Sequence, residues 1–135
     1  MLKKITDFLY DRTESLKHWD KTRLYEALSF YAYNGNLIAI TDEKDNVLAA
    51  CVIRIINSGN KKELDDVYAH DPFGDTYQAE HMASDSKTAT KKMIDIGINR
   101  FGLKKYASFD RYSDHKGQRM ITLPFLKFKK IFEGN

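Results

Sequence analysis

Cysteine, proline and long apolar runs are all scarce in this chain. Its 135 residues include one cysteine, Cys51, which excludes an internal disulfide and a disulfide-stabilised secreted scaffold. The longest apolar run, Val47–Ile56, is interrupted by Arg54 and is far too short to cross a bilayer. Polar residues break up the N-terminal apolar residues, and no signal peptide is predicted. The composition, 42% hydrophobic and 30% charged, predicts a single soluble domain over residues 1–135, with the cytoplasm as the expected location.

Charge is unevenly distributed along the chain, although the net charge is only +3. Between Asn60 and Asp85 there are two lysines and seven carboxylates, whereas between Phe101 and Asn135 eight Lys or Arg residues accompany three carboxylates. A basic C-terminal segment favours an acidic partner, which could be an acidic protein, a phosphorylated cofactor or nucleic acid. An unevenly charged, solvated surface explains the same pattern equally well.

The stretch from Tyr77 to Asp110 predicts a strand, a helix and a second strand. Apolar residues at helical spacing predict a helix over Lys87–Phe101, which begins after a cap at Ser84, Asp85 or Ser86 and stops at Gly102. Strands joined by such a crossover helix are expected to be parallel neighbours. The helix N-terminus then opens beside the C-terminal end of the first strand, where units of this kind bind anions.

The other elements follow from apolar spacing and turn residues. We expect helices over about 2–16 and from Asp20 to about Asn34, strands over 36–42, Val47–Ile56 and Gln118–Phe125, a hairpin turn over Ser113–Gly117, and one more short strand over Glu63–Ala69. The apolar character of Val47–Ile56 predicts a central strand covered on both faces. Pro124 indicates an edge position or a strand end. The stretch from residue 126 onward carries no assignment.

This order of elements resembles the fold of the Gcn5-related N-acetyltransferases (GNAT). The resemblance implies an α+β, GNAT-like domain with N-terminal helices, a mostly antiparallel sheet and one strand–helix–strand crossover. An acetyl-CoA-dependent member has an Arg/Gln-x-x-Gly-x-Gly/Ala loop whose backbone N–H groups hold the pyrophosphate. The corresponding loop here, Ala83–Lys92, has no glycine and includes an aspartate. Ser86, Lys87 and Lys91 are the residues that could contact a phosphate there, but acetyl-CoA is not the expected cofactor.

A second resemblance covers roughly His18 to Phe125 and is to the toxin-activating lysine acyltransferases, which fatty-acylate RTX cytolysins. It depends on the order and spacing of Leu16-Lys-His-Trp19, Asn36-Leu-Ile-Ala-Ile-Thr41, Val47-Leu-Ala-Ala-Cys51 and Gln78-Ala-Glu-His-Met-Ala-Ser84. That family takes its acyl group from acyl carrier protein and lacks the CoA loop. Its Phe-Ile-Asp-Trp-Ile-Ala-Pro-Phe-Gly pattern places Glu80 at the aspartate, whereas Pro-Phe-Gly is absent here.

The resemblance implies transfer of a fatty acyl group from acyl carrier protein to a lysine of an acceptor protein, with no bound cofactor. His18 would be the base or nucleophile and Glu80 the supporting acid, converging in a cleft beside the crossover helix. A histidine can accept the proton of the attacking amine at neutral pH, and a carboxylate can orient its ring. The basic residues Lys104, Lys105, Lys127, Lys129 and Lys130 suit an acidic carrier. Three alternatives stay open: an inactive binding or structural module, a nucleic-acid-binding module that uses the basic C-terminal hairpin, and an acetyl-CoA-dependent N-acetyltransferase with a degenerate loop.

The candidate residues also have non-catalytic explanations, and the sequence gives little support for a metal site, a reactive thiol or a nucleic-acid surface. A histidine beside a tryptophan at a helix junction, as His18 is, more often packs or caps than catalyses. Strand alternation places Glu80 with Gln78 and Met82, on the face opposite Tyr77, Ala79, His81 and Ala83. The acidic residues around His70 and Asp71 lack recognised metal-ligand spacing, so no metal site is predicted. Cys51 is expected to be buried and inert. A nucleic-acid surface built from Tyr106, Phe109, Tyr112, Arg111, Lys116 and Arg119 is less favoured than cross-strand packing of the aromatic residues.

Overall fold

A computed structural model describes residues 1–113 and 117–134. Within these ranges the chain forms five strands, five α-helices and one 3-10 helix, in the order α1 (Leu2–Arg12), the 3-10 helix (Glu14–His18), α2 (Lys21–Tyr33), β1 (Leu37–Thr41), β2 (Val47–Ile56), α3 (Lys61–Asp65), β3 (Thr76–Ser84), α4 (Lys87–Phe101), β4 (Tyr106–Ser113), β5 (Gly117–Pro124) and α5 (Phe125–Glu133). The strands form one sheet in the order β1-β2-β3-β4-β5. The predicted α+β class is confirmed.

The strand–helix–strand unit is built as the sequence predicts. All neighbouring strands are antiparallel except β3 and β4, which α4 joins as parallel neighbours. Helix α4 begins after Ser86, whose Oγ accepts the N–H of Ala89 at 3.0 Å, and stops at Gly102, which has a φ of +86°. Local capping residues therefore set both ends of this helix.

Strand β2 separates two apolar layers. Ala50 and Val52 pack into the core formed with α1 and α2, whereas Ala49 and Cys51 pack into the core formed with α4. Successive side chains of a strand point to opposite faces, and both faces of β2 are covered, so its near-continuous apolar sequence is explained. The prediction of a central, doubly covered strand is confirmed.

A β-bulge in β3 changes which residues face α2. Val52 pairs with His81 and Ile53 pairs with Ala79, so Glu80 is an extra residue without a partner on β2. Beyond the bulge the alternation of side chains is reversed. The predicted sharing of one face by His81 and Ala79 is therefore wrong, because His81 follows Val52 toward the α2 side.

Strands β3 and β4 separate after a short parallel stretch. Their pairing covers Thr76–Ala79 of β3 and Tyr106–Phe109 of β4. Beyond this point β3 remains paired with β2 up to Ser84, while β4 remains paired with β5. The bulge and the separation of the strands therefore occur at the same level of the sheet, beside Glu80.

Two predicted elements need correction, and one stretch without an assignment forms a helix. The helix expected over 2–16 ends at Arg12, where Thr13 adopts an extended conformation and a 3-10 helix follows. The strand expected over Glu63–Ala69 is wrong, because the short helix α3 is followed there by turns whose carbonyl groups bind a side chain rather than another strand. The C-terminal stretch without an assignment forms α5, which buries Phe125 and Phe128. The predicted Ser113–Gly117 turn lies mostly outside the described residues.

None of the helices in the described ranges combines the length and the apolar content that crossing a membrane requires.

Two glycines offer a matched test of this packing. A Cβ at Gly74 would lie 2.5 Å from the backbone oxygen of Ile56, whereas a Cβ at Gly97 would lie 3.8 Å from Ile38 Cδ1 in ordinary contact. We expect Gly74→Ala to lower the free energy of unfolding by about 1–3 kcal/mol. Gly97→Ala should raise it by about 0.5–1 kcal/mol, because alanine favours the helix. Urea unfolding monitored by circular dichroism measures both, and equal effects of the two changes would contradict the packing described.

Candidate functional site

A cleft of about 840 Å³ lies on the α2 side of the sheet. The end of the 3-10 helix, one face of α2, the segment after α3, and β3 at its bulge form its walls, which bring together His18, Trp19, Asp20, Val67, Tyr68, Glu80 and His81. His18 and Glu80, distant in sequence, therefore share one cleft. Because α4 packs against the opposite face of the sheet, the expected position beside the crossover helix is wrong.

His18 is held at the mouth of the cleft by local structure. It is the last residue of the 3-10 helix, and Trp19 after it is extended. Asp20 then caps α2, with its Oδ1 accepting the N–H of Thr22 at 2.8 Å. The His18 side chain is exposed and hydrogen-bonds to no side chain or backbone group in the described part of the chain. Its imidazole is therefore accessible to a molecule in the cleft.

Glu80 is bound by a buried arginine. The side chain of Arg54 is 1% exposed, and its Nε donates to Glu80 Oε1 at 2.6 Å while Nη2 forms an ion pair with the same oxygen. Burial raises the pKa of Glu80, and the neighbouring Arg54 guanidinium offsets part of this rise. Among the described residues Glu80 Oε2 accepts no hydrogen bond, and Glu80 and His18 do not bond to each other. The carboxylate thus supports Arg54 and still borders the cleft.

The same guanidinium fixes the outer wall of the cleft. Arg54 Nη1 donates to the carbonyl oxygens of Glu63, Asp66 and Ala69 at 2.8, 2.8 and 2.9 Å, and Nη2 donates to that of Leu64 at 3.2 Å. We call residues 63–69 the clamped segment. Its position depends on Arg54, because no other strand or helix provides these carbonyl groups with donors in the described residues.

Aromatic side chains line the cleft where α2 meets the clamped segment. The rings of Phe30 and Tyr68 meet edge to face with centroids 4.7 Å apart, and those of Tyr31 and Tyr68 are 6.3 Å apart. Tyr31 Oη donates to the carbonyl oxygen of Val67 at 2.9 Å, and burial raises the pKa of Tyr31 to about 12. We call Phe30, Tyr31 and Tyr68 the aromatic wall. Phe30 and Tyr68 remain 43% and 56% exposed, so both rings are available to a ligand.

His81 is a cleft residue that sequence reasoning missed. Its ring meets Trp19 edge to face at 5.8 Å, and its buried Nδ1 has no hydrogen-bond partner among the described residues. Burial lowers the pKa of His81 to about 4, so the imidazole is neutral at physiological pH. Strand alternation placed it on the other face, and only the bulge brings it here. No sequence signal for that bulge was recognised, whereas a lone arginine in an apolar strand could have pointed to Arg54.

This architecture is similar to that of a protein of known structure. The crystal structure of a GNAT-family acetyltransferase from Listeria monocytogenes superposes with a TM-score of 0.51 and 13% sequence identity, covering 98% of this chain and 79% of that chain. The fold is GNAT-like. No protein-family model and no curated protein sequence matches the chain. At this identity the likeness concerns the fold alone, and the resemblance to toxin-activating acyltransferases stays a prediction.

Side chains of the chain itself surround the N-terminus of α4 in this GNAT-like fold. Arg12 of α1 binds Asp85 through Nε and Nη2, at 2.8 and 2.9 Å from the two carboxylate oxygens. Ser86 caps the helix, and Lys87 packs against the end of α5, with its Nζ 3.0 Å from where a Cβ on Gly134 would lie. A carboxylate therefore lies near the helix end that would attract a phosphate. Phosphate binding by Ser86, Lys87 and Lys91 stays a prediction.

The α4 side of the sheet has little open space. A cavity of about 40 Å³ there is lined mainly by apolar side chains, among them Cys51, whose thiol is buried with its pKa raised to about 12 by burial. The expected burial of Cys51 is confirmed, and a thiol with this pKa is a poor nucleophile.

Within the described residues no group of three or more His, Cys, Asp or Glu side chains could hold a metal ion. The side chains of Arg111, Tyr112, Lys116 and Arg119, part of the nucleic-acid alternative, lie outside those described.

Arg54 is expected to matter more for stability than its counterion. Arg54→Met should lower the free energy of unfolding by about 3–5 kcal/mol, because Glu80 and four carbonyl groups each lose a charged donor. Glu80→Gln should cost less, since the amide oxygen still accepts. Arg100→Met is the matched control: this exposed arginine also donates to two carbonyl groups, and its loss should cost about 1 kcal/mol or less. Urea unfolding measures these losses in free energy. Similar losses for Arg54→Met and Arg100→Met would contradict the role of Arg54 in holding the clamped segment.

His81 is expected to titrate far below an ordinary histidine. Its ring C–H signals in an NMR titration should shift with a midpoint near the pKa of about 4. The unfolded chain binds this proton at higher pH than the folded protein, so stability present above pH ~6.5 should fall by up to about 3 kcal/mol as the pH drops to 4. His81→Phe should remove that part of the pH dependence. A midpoint above pH 6 would show that the ring is solvated instead of buried.

Proposed function

We propose that this protein is an acyltransferase that moves a fatty acyl group from acyl carrier protein to a lysine side chain. The GNAT-like fold supports acyl transfer in general. The observation that carries the proposal is the shared cleft, in which an accessible imidazole, His18, and a carboxylate, Glu80, come together from distant parts of the chain. These are the two groups to which the resemblance to lysine acyltransferases assigns the chemistry.

The proposed reaction is nucleophilic substitution at a thioester. The lysine ε-ammonium first loses one proton to the solvent, and the neutral ε-nitrogen then attacks the thioester carbonyl carbon. His18 takes up the second proton that this nitrogen loses as the amide forms. The tetrahedral intermediate then collapses, the C–S bond breaks, and the leaving thiolate regains a proton from the His18 imidazolium. An amide and the free thiol of the carrier are the products. Glu80 borders the cleft with Oε2 unbonded by described residues, and its negative charge would stabilise an imidazolium nearby.

The donor end favours a carrier protein over free coenzyme. Arg12 and Asp85 are engaged with each other at the N-terminus of α4, and the loop before this helix has no glycine to let the backbone approach a pyrophosphate. Several exposed lysines are available to an acidic protein surface, including Lys127 and Lys130 of α5. The charge pattern thus supports acyl carrier protein as donor, and acetyl-CoA remains the weaker alternative.

A second candidate is a binding module without catalytic activity. The observation in its favour is the grip of Arg54 on Glu80, which uses the carboxylate as a structural counterion. In that case the cleft binds a ligand but His18 transfers no proton. Measuring acyl transfer and ligand binding separately distinguishes the two candidates.

Acyl transfer is testable with a labelled donor. Acyl carrier protein carrying a radiolabelled palmitoyl chain, incubated with the protein and lysine-containing peptides of mixed sequence, should yield labelled peptide. His18→Ala should reduce the rate roughly 100-fold or more, the usual contribution of a general base. Lys17→Ala, a change at the neighbouring exposed residue, should leave the rate unchanged.

Two results would contradict the proposal. One is the absence of labelled peptide from the palmitoyl carrier and from a second carrier loaded with a shorter, octanoyl chain. The other is equal labelling by wild type and His18→Ala, since transfer would then not depend on the imidazole. Palmitoyl-CoA offered in place of the carrier tests the donor, because equal rates with both would remove the preference for a carrier protein.

A further inference from the structure

The cleft wall formed by α2 combines aromatic rings with an unengaged carboxylate. Glu26 and Phe30 are four residues apart on α2 and therefore neighbours on one helix face, and both line the cleft. Within the described residues Glu26 makes no ion pair or side-chain hydrogen bond. Tyr68 stands across from this face, in edge-to-face contact with Phe30 at 4.7 Å. A carboxylate thus borders exposed aromatic faces, which attract cations.

Two further observations concern the polar and aromatic lining of this site. The buried Nδ1 of His81 has no partner in the described chain, although buried polar atoms are usually bonded. In addition, Tyr68 is held in place, because Arg54 binds the carbonyl groups of Asp66 and Ala69 on either side of it. A half-exposed ring whose backbone is fixed by a buried charge is organised for contact in advance of a ligand.

The charges of the lining favour a cation over an anion. Asp20, Glu26 and Glu80 are acidic, whereas Arg23 is basic, and Arg54 lies behind Glu80. Counting Arg54, three negative charges stand against two positive ones. An anionic ligand would face three carboxylates, while an ammonium group would find carboxylate oxygens and ring faces together.

We infer that this part of the cleft binds an alkylammonium group between the aromatic wall and Glu26. The group could belong to a lysine side chain of a protein or to a free polyamine, since both present the same chemistry. The inference deepens the proposed function, because it identifies how the acceptor amine is recognised, but it concerns binding and needs no acyl donor.

Trp19, the single tryptophan, lies in the cleft and reports its occupancy by fluorescence. The probes are three capped tripeptides with lysine, norleucine or acetyl-lysine between glycines, and 1,5-diaminopentane. The lysine peptide should give a saturable change in emission and bind roughly fivefold or more tightly than the norleucine peptide. Tyr68→Leu and Glu26→Gln should each remove that preference. Tyr33→Leu, at a 92% exposed ring of α2 outside the cleft, should not.

The relative affinities of these probes test the inference and identify the source of the ammonium group. Equal binding of the lysine and norleucine peptides, or no saturable change with any amine, would overturn the inference. Tighter binding of the peptide than of the diamine identifies a protein lysine as the ligand, and the reverse identifies a free polyamine. Binding of lysine without acyl transfer from any donor would leave the inference standing and refute the proposed enzymatic function alone.

Discussion

The buried guanidinium of Arg54 is the interaction on which the cleft depends. A charge removed from water is tolerated only when its donors are paired. Arg54 meets this requirement with Glu80 on one side and four carbonyl oxygens of the clamped segment on the other. The segment therefore cannot join the sheet as a strand, because its carbonyl groups are engaged by a side chain. Arg54 thus fixes both the clamped segment, which forms the outer wall of the cleft, and Glu80, which borders the cleft from β3.

Features that depend on residues close together in sequence were predictable, whereas features that depend on contacts between distant residues were not. The ends of α4 and the start of α2 depend on Ser86, Gly102 and Asp20, each within a few residues of the helix it limits, and these were predicted correctly. The apolar strand β2 was equally clear from its composition. The clamped segment was not, since its conformation depends on an arginine from another strand. Helix α5 was left unassigned although Phe128 and Phe132 are four residues apart, because its apolar face is defined by packing against residues of the sheet and of α4.

The residues of the candidate site also differ in how far the sequence predicts them. His18 and Glu80 were found by resemblance, and the structure brings both to one cleft, but their predicted catalytic roles still need an experiment. His81 was assigned to the wrong face because alternation assumes an unbroken ladder, and the bulge at Glu80 appears only when β3 is paired with β2. The aromatic wall also combines residues of α2 with a distant loop. Features that arise between elements could not be derived from either element alone.

The carboxylate of Glu80 meets two requirements at once. Its Oε1 accepts from the guanidinium of Arg54, and the side chain still borders the cleft. The two requirements are linked, because a carboxylate anchored by Arg54 has a fixed position and presents its remaining oxygen without further loss of side-chain entropy. Glu80 is therefore compatible with both a structural and a chemical role.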